Sequence, residues 1–243
     1  MKIAGVVAAL ALVTTGAPAS AGAPAGLTVW PARVRLPVGT VTEIHVANRT
    51  ARTVSLAVRV AGLAFDLRGA PHVVPSSAGS PLLVLRPPRL VIAPGRTATL
   101  TLRARRAGGA GDRAALVLLT AHSAGGAGVG VRVRFGVPVQ VRLPGAVRRR
   151  LDLGALRVRG RGLDLLVRNR GNIEERIGRG GLIGQVWQHS RLLAVVEPRP
   201  QDVLPQTRAL LRLPVPRRVH GRVRIVVLAP GVAAAGRSYA VEF

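Results

Sequence analysis

The 243-residue sequence contains no cysteine, and aromatic residues make up only 2% of it. The absence of cysteine excludes disulfide bonds, cysteine nucleophiles and thiolate metal sites. The shortage of aromatic side chains leaves few stacking platforms of the kind on which single-stranded nucleic acids bind. Because hydrophobic residues still make up 48% of the chain, its core must consist mainly of valine, leucine and alanine.

Acidic residues and lysine are also scarce. Ten Asp and Glu residues stand against 36 Lys and Arg residues, and Lys2 is the only lysine, so the net charge is +26. Such a charge favours polyanionic partners, but an arginine-rich, lysine-poor composition is also what a GC-rich coding sequence produces. The densest basic run is only Arg148 to Arg150, and no aromatic residue interleaves with it. We expect no specific nucleic-acid partner and keep an anionic wall polymer as an alternative.

Few residues offer chemistry for catalysis. Glu174 and Glu175 are the only adjacent acidic pair, and we expect both in an exposed loop beside Arg176. The five histidines show no metal-ligand spacing; they are His45, His72, His122, His189 and His220. We therefore expect no catalytic residue, no metal site, no cofactor and a non-enzymatic protein.

The first 21 residues have the pattern of a cleaved signal peptide. Lys2 supplies a positive start, an apolar run covers residues 3–13, and Ala19-Ser20-Ala21 forms a small-x-small cleavage site. The apolar run is shorter than the ~20 residues that a membrane-spanning helix needs, and no later run approaches that length. We expect an exported chain, secreted or held in the cell envelope, without a transmembrane span.

The rest of the chain reads as all-β. Short valine-rich runs alternate with Gly and Pro turn signals at intervals of about ten residues, a spacing typical of sandwich folds. We predict an immunoglobulin-like sandwich over residues 22–144 and a second β-sandwich over residues 145–243, which makes two tandem immunoglobulin-like domains. Asn48-Arg49-Thr50 matches a glycosylation sequon, but its place between two alternating runs favours a turn.

The longest alternation covers Val129 to Leu143, where every second residue is apolar. A period of two places the apolar set on one face of an extended strand. Pro138 interrupts the run and cannot donate a ladder hydrogen bond, so it predicts a position at the edge of a sheet. An apolar-faced edge strand is either covered by its own chain or available for pairing with another.

Four stretches together resemble the periplasmic pilus-assembly chaperones, the PapD-like family. They are Leu27 to Leu36, Val41 to Asn48, Leu90 to Leu102 with its Ala93-Pro94-Gly95 turn, and Val129 to Leu143. In that family the last strand of the first domain lends its apolar row to an incomplete pilus subunit, and two basic residues hold the subunit's terminal carboxylate. The resemblance implies a donated row on the long strand, namely Val131, Val133, Phe135, Val137 and Val139. It also implies that Arg33 and Arg142 hold the carboxylate, although the second position is normally a lysine.

The sequence thus predicts an exported, chaperone-like protein-binding module that captures an extended protein segment by β-strand pairing. Two alternatives remain open. The module binds an anionic wall polymer or a surface protein through its arginine-rich faces, or the apolar row is simply the sandwich's own core. The exposure of Val131, Val133, Phe135 and Val137 distinguishes a binding strand from an ordinary core strand.

Overall fold

The computed structural model describes residues 26–75, 82–123, 131–178, 180–231 and 236–243. The predicted signal peptide, residues 1–21, lies outside this part of the chain. Within it every regular element is a β-strand, nineteen in all, which confirms the all-β prediction. The strands form two compact units. Among the described residues, the first unit comprises those of 26–63, 73–109 and 113–144, and the second comprises those of 64–72, 110–112 and 145–243.

Two sheets build the sandwich of the first unit. The first sheet has the strand order β1 (Leu27–Trp30), β3 (Val41–Asn48), β8 (Thr97–Ala104), β6 (Leu83–Arg86). The second has the order β2 (Val34–Pro37), β10 (Val131–Leu143), β9 (Gly111–Ser123), β4 (Val54–Phe65), β5 (Pro71–Val74), and β7 (Arg89–Ile92) also pairs with β4. Alternating apolar positions meet between the sheets, where Ile44, Leu56, Leu100 and Leu102 are fully buried. Burial of such side chains stabilises the fold by about 1.5–3 kcal/mol each.

The first predicted strand is divided between the two sheets. Leu27 to Leu36 was expected to form one strand interrupted at Pro31, whereas β1 pairs antiparallel with β3 and β2 pairs parallel with β10. Pro31 lacks the N–H that a ladder needs, so the chain leaves one sheet there and joins the other after residue 33. This crossing puts β2 beside the end of β10.

The second unit contains three smaller sheets. The first has the strand order β11 (Leu151–Arg159), β12 (Gly162–Asn169), β17 (Arg208–Pro214). The second pairs β13 (Glu175–Ile177) with β16 (Gln201–Val203). The third has the order β15 (Arg191–Val196), β14 (Ile183–Gln188), β18 (Arg222–Leu228), β19 (Arg237–Glu242). Its core is again built of leucine, valine and isoleucine, with Leu163, Leu165 and Leu211 fully buried.

The prediction that Glu174 and Glu175 lie in an exposed loop is wrong, because both residues are buried. The Glu175 carboxylate accepts two hydrogen bonds from the Arg149 guanidinium, at 2.9 and 2.7 Å. The Glu174 backbone N–H donates to Asp112 Oδ2 at 2.8 Å. A carboxylate tolerates burial when a paired cation and hydrogen bonds compensate for lost hydration, and Arg149 supplies that compensation from 26 residues away.

Candidate functional site: the free flank of β10

The strand β10 has two neighbours along only part of its length. Its position in the sheet lies between β2 and β9, but β2 pairs only with Val139 to Arg142. On that flank, residues 131–138 have no strand partner among the residues that the structure describes. This stretch spans about 26 Å at 3.3 Å per residue. A strand flank without a partner is the kind of edge to which another strand can be added.

The position of Pro138 fits this division of the strand. It immediately precedes Val139, the residue where pairing with β2 begins. Since proline has no backbone N–H, it is tolerated at an edge and at the boundary of a ladder. The edge position predicted from Pro138 therefore holds for the first part of β10, whereas the last part lies inside the sheet.

The predicted apolar row is divided at the same place. Val137 and Val139 are 2% and 1% exposed and belong to the core of the first unit, together with Val141 and Leu143. Val133 and Phe135 are only half-buried and pack against the rim of that core. The Val131 side chain lies outside the described residues. Donating Val137 or Val139 to a partner would open the protein's own core, whereas Val133 and Phe135 still have surface to cover.

The two predicted basic residues do not lie side by side, since Arg142 is on β10 and Arg33 precedes the first residue of β2. Arg142 is opposite Pro37, whereas Arg33 immediately precedes Val34, which is opposite Val139. The parallel register therefore separates Arg33 from Arg142 by four positions, about 13 Å of backbone. Both residues make interactions within the structure.

A third arginine, Arg35, lies closer to Arg142 than Arg33 does, and the sequence analysis missed it. Arg35 is opposite Gln140, two positions from Arg142, at the diagonal spacing where long side chains of neighbouring strands meet. It too has interaction partners. The alternation of Val34, Arg35 and Leu36 is the sequence signal that places Arg35 on the outer face, since Val34 and Leu36 are buried.

Arg142 also borders a concave region of about 460 Å³ in the first unit. Arg106 lines the same region, together with Pro37, Val38, Leu143 and Pro144. Arg33 does not line it. Two guanidinium groups beside apolar surface suit a carboxylate attached to an apolar chain end.

Among the described residues, no group of three His, Cys, Asp or Glu side chains is arranged to hold a metal ion. In the same part of the chain, no helix has the length and apolar character needed to cross a membrane.

Comparisons with known proteins give structural matches only. No protein-family model matches the chain, and no curated protein sequence matches it. The class 5 fimbriae chaperone CfaA is similar with a TM-score of 0.53 and 12% identity, over 88% of this chain and 98% of that one. A chaperone–tip adhesin complex of CFA/I fimbriae gives 0.52 and 10%, over 86% and 100%.

A third match is the CsuC–CsuE chaperone–tip adhesin pre-assembly complex of Acinetobacter baumannii Csu pili. Its TM-score is 0.50 at 13% identity, over 89% of this chain and 98% of that one. Because the likeness extends over nearly the whole chain at such low identity, it concerns the fold. The chain has the two-domain immunoglobulin-like fold of the pilus chaperones, so the predicted resemblance is confirmed at that level.

Proposed function

We propose that the protein is an exported, non-enzymatic, chaperone-like binding module that pairs an extended segment of a partner protein along the free flank of β10. The observation that carries this proposal is the absence of a described strand beside residues 131–138 on the flank where β2 pairs only with Val139 to Arg142. An edge of this kind accepts an added strand through main-chain hydrogen bonds, and alternate side chains provide specificity.

Val133 and Phe135 supply the apolar part of the interaction, with Val131 continuing the row by alternation. Full burial of each such side chain is worth roughly 1.5–3 kcal/mol, and their partial burial against the core reduces the gain. Ordering of the partner segment opposes association. Val137 and Val139 are packed in the core, and this packing keeps β10 extended for pairing.

The partner we propose is an incomplete immunoglobulin-like subunit of the pilus type. Two of the similar structures are complexes of a chaperone with a tip adhesin, and the long strand of this chain resembles the donated strand of that family. Arg33, Arg35 and Arg142 would hold the partner's terminal carboxylate. In the register of β2 with β10, Arg35 lies between the other two arginines. The comparisons give no support to an anionic wall polymer as the partner.

A capture experiment with paired variants tests the strand. Val133→Asp with Phe135→Asp places two charges on the exposed part of the row, and Val91→Asp is the matched control because Val91 is 66% exposed on β7. We expect the purified protein to retain one specific partner from envelope extracts, the double variant to lose it and the control to keep it. In the complex, amide exchange of residues 131–138 should slow.

Retention of the partner by the double variant contradicts the proposal, and so does unchanged amide exchange in residues 131–138. Circular dichroism melting of each variant separates loss of binding from loss of folding. The basic residues are tested by a partner peptide that carries either a free carboxylate or an amide at its C-terminus. The wild type should bind the peptide with the C-terminal amide less tightly than the peptide with the free carboxylate. Arg142→Gln should bind the two peptides equally tightly.

Export is tested separately from binding. We expect the protein recovered from the cell envelope or medium to begin at Gly22, after cleavage at Ala21. N-terminal sequencing reads this directly, and a chain that still begins at Met1 contradicts a cleaved signal peptide.

A further inference from the structure

A second concave region in the first unit is lined by several arginines. It has a volume of about 700 Å³ and is lined by nine residues, of which four are arginines and none is acidic. The arginines are Arg86, Arg103, Arg105 and Arg106. Small-molecule sites in proteins commonly have volumes of about 300–1,000 Å³, so the region is large enough for a ligand with more than one charged group.

The pairing of three strands brings these arginines together. On β8, Arg103 is opposite Val84 of β6 and also opposite Val41 of β3. Arg86 is opposite Thr101, which makes it a diagonal neighbour of Arg103 at about 7–8 Å between backbones. Arg105 follows two residues after Arg103, and its backbone N–H still donates to the Leu82 carbonyl at 2.8 Å.

No residue of the described chain neutralises the four guanidinium groups. Their side chains make no hydrogen bond and no ion pair to another described residue, in contrast to Arg149 and Arg212, which pair with Glu175 and Asp164. The carboxylate closest in register is Glu43, opposite Thr101. Glu43 does not line the region, and its oxygen lies 3.8 Å from His45 Nε2. Like charges gathered in one concavity repel one another and attract anions.

We propose that this arginine pocket binds a phosphorylated ligand with at least two anionic groups. A phosphate monoester carries nearly two negative charges and three strong acceptor oxygens, so one group can accept from several guanidinium forks at once. Val41, which is 57% exposed, and Val84 flank Arg103 in the lining, and this apolar surface suits a ligand with a carbon body. None of the lining residues belongs to β10, although Arg106 also lines the concave region beside Arg142.

Calorimetric titration with inorganic triphosphate tests the pocket. The variant Arg86→Gln with Arg103→Gln removes two of its charges. Arg59→Gln with Arg89→Gln removes two charges from exposed positions on the other sheet and serves as the control. We expect the wild type to bind triphosphate, the pocket variant to bind at least about tenfold more weakly, and the control to stay within about twofold. Citrate should bind more weakly than triphosphate.

Three results would overturn the proposal. Equal weakening in the pocket and control variants would show that net charge alone attracts the anion, and absence of triphosphate binding by the wild type would remove the site. Citrate binding as tight as that of triphosphate would contradict phosphate as the ligand class. Vesicles of cardiolipin, whose headgroup carries two phosphates, distinguish a lipid source of the phosphate from a soluble one. Co-sedimentation that triphosphate displaces indicates a lipid headgroup, and triphosphate binding without vesicle binding indicates a soluble compound.

Discussion

Asn48 and Asn169 occupy equivalent positions in the two units, although 120 residues separate them. Both are fully buried at the end of a strand, and each amide nitrogen donates to the carbonyl four residues later and to a second carbonyl far along the chain. For Asn48 these carbonyls belong to Arg52 and Ile92, and for Asn169 they belong to Ile173 and Val203. In both turns the amide oxygen accepts the backbone N–H two residues on, from Thr50 or Gly171.

The strands around the two asparagines share the same register. Asn48 is opposite Leu27 and Asn169 is opposite Leu151, and the second neighbour of each strand aligns in the same way, Val46 with Ala98 and Val167 with Ala209. The sheets β1-β3-β8 and β11-β12-β17 therefore follow one plan. The predicted turn at Asn48-Arg49-Thr50 is confirmed, and burial of the Asn48 side chain rules out the alternative of a glycosylated sequon.

Replacement of either asparagine should destabilise the unit that contains it. Asn169→Ala leaves two buried carbonyls without this donor, whereas Asn48→Ala leaves one, because the Arg52 carbonyl also accepts from Thr50 Oγ1 at 2.9 Å. Each unsatisfied buried group costs about 1–3 kcal/mol. Each variant is the control for the other. Amide exchange during denaturant titration should show Asn48→Ala weakening protection of β3 and β8, and Asn169→Ala weakening protection of β12 and β17. A uniform loss of protection across both units would contradict these local roles.

Gly111 should tolerate alanine much less well than Gly95. Both glycines have positive φ angles, +92° and +68°, and a left-handed conformation costs other residues about 1–2 kcal/mol. A Cβ at Gly111 would also clash with the Asn172 carbonyl oxygen, whereas nothing lies within 4 Å of a Cβ at Gly95. The free energy of unfolding, measured in urea, should fall by about 1–2 kcal/mol in Gly95→Ala and further in Gly111→Ala. Equal losses would argue against the close approach at Gly111.

The pair formed by Arg149 and Glu175 should respond asymmetrically to substitution. Arg149→Met leaves a buried carboxylate without its cation, whereas Glu175→Gln leaves a guanidinium that is already 47% exposed and can turn into water. We expect Arg149→Met to lose about 1–3 kcal/mol of stability at neutral pH and Glu175→Gln to lose less. The hydrogen bonds to Glu175 raise the pKa of Arg149, so the contribution of the arginine charge persists throughout the neutral range and is lost as the pH rises through that raised pKa in strong alkali. If Glu175→Gln proves the more damaging change, the carboxylate has another role.

The only tyrosine of the chain, Tyr239, provides an optical probe of the second unit. Burial raises its pKa above the usual value of about 10, with Arg237 acting in the opposite direction, and its hydroxyl donates to the Gly154 carbonyl at 2.7 Å. Because the folded state holds the phenolic proton more tightly, this contribution is full below pH 10. It is lost as the pH rises through the raised folded pKa.

An absorbance titration near 295 nm should therefore give a higher midpoint for the folded protein than for the protein in denaturant. Tyr239→Phe should remove the transition and cost roughly 0.5–1.5 kcal/mol from the lost hydrogen bond. Coincident midpoints in the folded and denatured protein would show that the hydroxyl is solvated.

The sequence predicts the positions of strands and turns more readily than it predicts which strands pair. Alternation placed the strand at Val41 to Asn48, and the Ala93-Pro94-Gly95 turn follows β7 as predicted. The strand β5 begins at Pro71 and shows no alternation, so no local period predicts it. The strands β13 and β16 contain only three residues each, too few for any period to be visible.

The sequence alone determined the all-β class, the turns and which face of each strand is apolar, because a two-residue period is a local property. Tertiary structure decided which strands meet and what covers them. It paired β2 with only the last part of β10, and it moved Val137 and Val139 into the core while leaving Val133 and Phe135 at its rim. It also buried Glu174 and Glu175 beside groups far away in the chain. Burial and pairing depend on residues distant in sequence, so no local pattern encodes them.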